Sequence, residues 1–241
     1  MLNPMAETYL GDNTLKSLLE EIGSSFSVFE VKAIILGAIN NVGYVPPAKV
    51  IESIVGNPQE EEAISFKDQD QAMRFYGQIF ACWNSMNEMK EAPIIFSPIP
   101  KDASGEVLLG VIEARCDELT SFLTFLDAAE YLEDFTDEKA IDAFCELGDH
   151  EAGLYELLER ATEEQEKFHD EALSFLSELQ GLWEYAFPLI KKQLAFIRMQ
   201  SMASSPRQSM NVGLDLNQPS KNSPCSCGSG KKFKRCCGLG S

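Results

Sequence analysis

The sequence predicts an all-α protein: a multi-helix body, then a flexible linker, then a small C-terminal knuckle. Three observations carry this. Apolar residues recur three and four positions apart from about residue 12 to residue 202, and alternation of the strand type is absent. From Ser201 the composition turns to Ser, Asn, Gln and Pro, as in Ser204-Ser205-Pro206 and Asn217-Gln218-Pro219-Ser220. Four of the seven cysteines then crowd into Cys225–Cys237. The expected layout is a body over 1–200, a linker over 201–222 and a knuckle over 223–241.

The elements follow in order. Asp12-Asn13 predicts the cap of a first helix with Leu15, Leu18, Leu19 and Ile22 on one face, stopped by Gly23. Ser27-x-x-Glu30 is a capping box for a second helix. Val31, Ile34, Ile35, Leu36 and Ile39 occupy several of its faces, which predicts burial all round. Pro46-Pro47 opens a third helix, closed by Gly56 and Pro58. A longer helix over Lys67–Met89 carries Met73, Phe75, Tyr76, Ile79, Phe80, Trp83 and Met86, a stripe expected in the core. Pro93, Pro98 and Pro100 predict an extended connector, with Ile94-Ile95-Phe96 against the body.

The second half is read the same way. Val107–Asp134 predicts a helix broken near Asp127. Thr136 is expected to cap the next, with Gly148 ending it. Tyr155–Met202 is helical in period, and Pro188 predicts a kink or break.

The body offers little chemistry. Its two histidines, His150 and His169, stand alone. Glu166-x-x-His169 has di-iron bundle spacing, but that design needs a second such unit and two further glutamates. No His-Glu-x-x-His run and no Gly-x-Ser-x-Gly elbow occurs. Cys82, Cys116 and Cys145 sit in helical patterns and are expected to be small core residues.

The chemistry is at the C-terminus, in Pro-Cys-Ser-Cys-Gly-Ser-Gly-Lys-Lys-Phe-Lys-Arg-Cys-Cys-Gly over 224–238. Zinc takes four thiolates in a tetrahedron at about 2.3 Å. Cys225 and Cys227 form one short hook, and Cys236 and Cys237 form the other. Gly228-Ser229-Gly230 can turn the chain between them, since glycine reaches positive φ without a Cβ clash. Phe233 is the one large apolar side chain between the pairs, too little for a core, so metal must supply the folding energy. Adjacent cysteines bridge each other only with strain, and a redox dithiol reads Cys-x-x-Cys. Gly-Ser-Gly-Lys is no P-loop, because the first glycine is missing and Lys232 follows Lys231. Four cysteines argue for a closed, structural site.

This run resembles the SEC-C motif, the metal-binding tail of the SecA translocation ATPase and of several small bacterial proteins. Its ligands fall on Cys225, Cys227, Cys236 and Cys237, its serine on Ser229 and its aromatic on Phe233. Ser226 stands where proline is commoner and is not a ligand. The resemblance implies zinc, with iron as an alternative. The body, through Ser27–Gly37 and the aromatic Phe75–Trp83 segment, is similar to the helical YecA/YgfB-type family, which implies no catalytic residues.

Charge divides the chain. Residues 1–200 hold 14 Lys and Arg against 37 Asp and Glu, whereas 201–241 hold six against one. An acidic body is a poor ligand for phosphate backbones, so an anionic partner such as RNA or lipid should meet the tail. Lys231, Lys232, Lys234 and Arg235, with Phe233, are the expected contact residues. The resemblance implies a protein partner, an acidic chaperone of the SecB type or the ribosome. The expectation is a non-enzymatic adaptor; its rivals are an enzyme with a site in the body and a metal carrier or sensor. No apolar run spans a membrane, no secretory leader is visible, and thiolate ligation suits a reducing, cytoplasmic setting.

Overall fold

The structure is a computed structural model and describes residues 8–56, 63–89, 91–101, 103, 105–160 and 165–204. Among these residues every regular element is helical. They are α1 (Asp12–Glu21), α2 (Val28–Asn40), α3 (Pro47–Val55), α4 (Gln69–Glu88) and α5 (Gly105–Leu126). A 3-10 helix (Ala128–Asp134), α6 (Glu138–Arg160) and α7 (Gln165–Ser204) complete the order. The chain divides into two units, Met1–Met199 and Gln200–Ser241. No described helix is long and apolar enough to cross a membrane.

The first unit is built around α2. Both halves of its capping box form: the Glu30 N–H donates to Ser27 Oγ and the Ser27 N–H donates to the Glu30 carboxylate, each at 3.1 Å. Val31, Ala33, Ile34, Ile35 and Leu36 are all buried, so every side of the helix meets protein. It packs most extensively on α5 and also touches α1, α3 and α4, while α5 packs on α6. Gly37 allows the α2–α5 approach. A Cβ there would stand 2.5 Å from the Phe122 carbonyl oxygen and 2.8 Å from Phe125 Cβ.

The N-terminal elements keep their expected faces with one change. Leu15, Leu18, Leu19 and Ile22 are buried, and Gly23 ends the turn at φ 72°. Gly11, at φ 96°, takes the cap position instead of Asp12. The Asp12 carboxylate is engaged elsewhere. It accepts the Tyr9 hydroxyl at 2.7 Å and pairs with the Lys32 ammonium at 3.1 Å. On α4, Phe75, Ile79 and Met86 enter the core, but Met73 and Phe80 point outward. Twenty residues of straight helix cannot bury a stripe that wide.

The proline-rich connector is a strap. Ile95 and Phe96 are buried and Ile94 is exposed, so the strap is covered on both sides at Ile95 and Phe96 and open at Ile94. The Trp183 indole donates to the Pro93 carbonyl at 3.0 Å, and its ring packs on Phe96, Phe122 and Phe187. The strap, α5 and α7 thus meet at one aromatic cluster.

One boundary agrees with expectation and two differ. The break at Asp127 is real: it adopts a left-handed conformation at φ 49°, and a 3-10 helix follows. Gly148 does not end α6, which runs on to Arg160 because Leu154 and Leu157 continue the buried face. Thr136 does not cap it; its N–H and hydroxyl both donate to Gln193. Pro188 lies inside α7 without ending it. The ring costs one helical hydrogen bond, and burial of Phe187, Ile190 and Leu194 around it offsets that loss.

Candidate metal centre

Cys225, Cys227, Cys236 and Cys237 lie outside the described residues, as do Lys231, Lys232, Phe233, Lys234 and Arg235. The described residues bring together no group of three or more His, Cys, Asp or Glu that could hold a metal. The three body cysteines are free, with no disulfide between them. Cys82 and Cys116 are buried, and burial pushes their thiols up to about 11 and about 12. Both stay protonated near neutral pH, when a nucleophile or ligand must be a thiolate. Cys145 departs from the expected core role: it is exposed. The α6 contact face runs through Ala140, Ala143, Leu147 and Leu154, and position 145 falls on the opposite side.

Neither histidine is placed for chemistry. His150 Nδ1 lies 2.8 Å from the Glu146 carbonyl oxygen, and the ring packs 5.0 Å from Phe175. His169 is half-buried on α7, and the side chain of Glu166 is outside the described set.

The body's ionisable groups are put to structural use. Arg115 and Glu118 are both buried, at 3 % and 0 % exposure. Arg115 donates to Glu118 at 3.2 Å and to the Ser97 carbonyl at 2.7 Å, while the Ser97 N–H donates to both Glu118 oxygens. Arg115 also stacks 4.3 Å above the Phe96 ring. Burial raises the Glu118 carboxyl above its ordinary value and lowers the Arg115 guanidinium, so desolvation outweighs the attraction within the pair. This pair latches the strap to α5. A second cluster joins α1 to α2 and α4. Burial and the bonded Asp12 carboxylate raise Tyr9 far above a free phenol. That hydroxyl therefore serves as a fixed donor. Arg198 of α7 donates to the Ile39 and Asn41 carbonyls and so closes the C-terminal end of α2.

Sequence reasoning missed both latches. Charges at i and i+3 on a helix are usually solvated, and nothing local marks Arg115 and Glu118 as the pair that a strap will cover.

Four thiolates from two close pairs suit a tetrahedral divalent ion with no open position. Comparison with known proteins finds a motif over the C-terminal stretch. The family model of the SEC-C motif matches residues 222–239, which include all four cysteines and the whole Lys231–Arg235 run. The chain thus carries a SEC-C motif, a metal-binding motif. No curated protein and no solved structure matches the chain.

Proposed function

We propose that this is a non-enzymatic interaction protein whose C-terminal motif, folded around zinc, captures an acidic macromolecular partner. The observation that carries the reading is the SEC-C match over 222–239. Cys225, Cys227, Cys236 and Cys237 would hold the ion. Bound zinc supplies folding energy to a segment without a core and performs no reaction. Lys231, Lys232, Lys234 and Arg235 present positive charge on the ordered backbone, and Phe233 packs against the site or offers a ring face.

The charge division supports a tail-first encounter. A body of 14 cations and 37 anions over residues 1–200 repels polyanions, whereas the tail attracts them. We assign the partner to the acidic-protein class, of which an export chaperone of the SecB type is the candidate implied by the motif; the ribosome and an anionic lipid surface are the alternatives. In this reading the helical body is YecA-type, a tether runs from the end of α7 at Ser204, four residues later than the composition suggested, to 222, residues 223–241 form the knuckle, and the protein works in the cytoplasm.

The test compares the full-length protein with a Lys231→Glu/Lys234→Glu variant. Capture of an acidic chaperone should fall while the zinc content is unchanged. Equal capture by both proteins rejects the docking role.

A further inference from the structure

The start of α6 and the C-terminal half of α7 enclose an open groove of about 640 Å³. That size lies within the roughly 300–1,000 Å³ typical of small-molecule sites. Gln193 forms part of its lining and is 6 % exposed. The Thr136 N–H donates to Gln193 Oε1 at 3.2 Å, and the Thr136 hydroxyl adds a second bond at 3.4 Å. A backbone N–H can only donate, so this contact fixes the amide and turns Nε2 the other way. Nε2 has no acceptor among the described residues, and it is not sealed from solvent. A nearly buried side chain therefore offers two unused N–H bonds to the groove.

The surroundings favour an anion. Lys139 and Lys192 line the same groove, and neither has a carboxylate partner among the described residues. By contrast Lys16, Lys32, Lys49, Arg74, Arg115 and Arg160 are each ion-paired. The N-terminus of the 23-residue α6 opens here with the positive end of its dipole, although Asp137 already takes the Lys139 N–H on its carboxylate and the Ala140 and Ile141 N–H groups on its carbonyl. Asp137 and Glu138 also stand on the rim. The Asp137 carboxylate is occupied by the Lys139 N–H at 3.1 Å, and Glu138 is exposed and free to turn outward. Local charge is thus balanced, and directed donors rather than long-range attraction must select the ligand. Phe196, 38 % exposed, supplies an apolar wall.

The geometry points to a binding site for a small organic oxyanion, a phosphate or carboxylate carried on an apolar group. The oxyanion meets Lys139, Lys192 and Gln193 Nε2, and the apolar group lies on Phe196. This site is independent of the C-terminal motif and survives if the docking role fails.

The experiment titrates the full-length protein calorimetrically with phenyl phosphate, benzoate and inorganic phosphate. Phenyl phosphate or benzoate should bind saturably, more tightly than inorganic phosphate. Lys139→Met/Lys192→Met should weaken binding by roughly tenfold or more, because two charge-assisted hydrogen bonds are lost. Gln193→Glu keeps the acceptor for Thr136, puts a charge that repels the anion where Nε2 stood, and should weaken binding at a somewhat lowered melting temperature. Lys101→Met, an exposed change outside the groove lining, should leave binding as it was. Absence of saturable binding up to about 10 mM overturns the assignment. So does undiminished binding by the double variant, an equal loss in Lys101→Met, or inorganic phosphate binding as tightly as phenyl phosphate.

Discussion

At the residue scale, the Arg115–Glu118 pair shows what burial does to charge. Both groups are shifted toward their neutral forms, yet each makes hydrogen bonds that the strap at Ser97 depends on. Removing one partner strands the other in a dry site. Glu118→Leu should therefore cost about 3–5 kcal/mol, read as a lower denaturation midpoint at constant m-value. Adding Arg115→Met to that variant should recover part of the loss, though the Ser97 N–H and carbonyl remain without partners. The pH dependence has a definite sign. The Glu118 carboxyl is raised in the folded state, so its ionisation opposes folding and its contribution is most favourable below the ordinary carboxylate range. That contribution fades as pH rises through the raised value. Glu118→Gln should remove this acid-side gain from the stability profile. A profile unchanged by Glu118→Gln would contradict the assignment.

At the scale of elements, glycine separates two situations that look alike in sequence. Gly37 sits where α2 and α5 nearly touch, with Phe122 O, Phe125 Cβ and Leu126 N all within 2.9 Å of a Cβ built there. Gly148 has nothing within 4 Å. Both are helical, so alanine brings each about 0.5–1 kcal/mol of backbone gain. At Gly148 that gain should appear whole as a higher melting temperature. At Gly37 the clash is with backbone atoms that cannot yield, and Gly37→Ala should destabilise by about 1–3 kcal/mol. Ser27→Ala should cost about 1 kcal/mol through the lost capping box.

These contrasts also explain what could be read from the chain. Ser27 and Glu30, Pro46 and Pro47, and Gly23 act on their own neighbours, so α1 to α3 are legible locally. Gly148 looked like a stop because a glycine ends a helix only when its φ turns positive, and spacing does not reveal φ. Thr136 was unreadable as a partner of Gln193, 57 residues away. Cys145 is exposed because the period of α6 places it opposite Leu147, and the hydrophobicity of a cysteine does not decide its side of a helix.

At the scale of the whole molecule, the seven cysteines fall into three classes with different reactivity. Cys82 and Cys116 are buried with raised thiols and Cys145 is exposed, and the C-terminal four are the proposed metal ligands. Brief alkylation of the native, metal-loaded protein should therefore modify Cys145 alone. Chelation should add Cys225, Cys227, Cys236 and Cys237 while Cys82 and Cys116 stay protected. Loss of metal should leave the melting of the helical body unchanged.

The central claim is that the C-terminal quartet binds a single ion. It is tested most directly by metal analysis of the purified full-length protein beside a Cys225→Ser/Cys236→Ser variant. About one equivalent of zinc per chain in the first, and none in the second, is the predicted result. A full-length protein without metal, or a variant that retains the same equivalent, would contradict it.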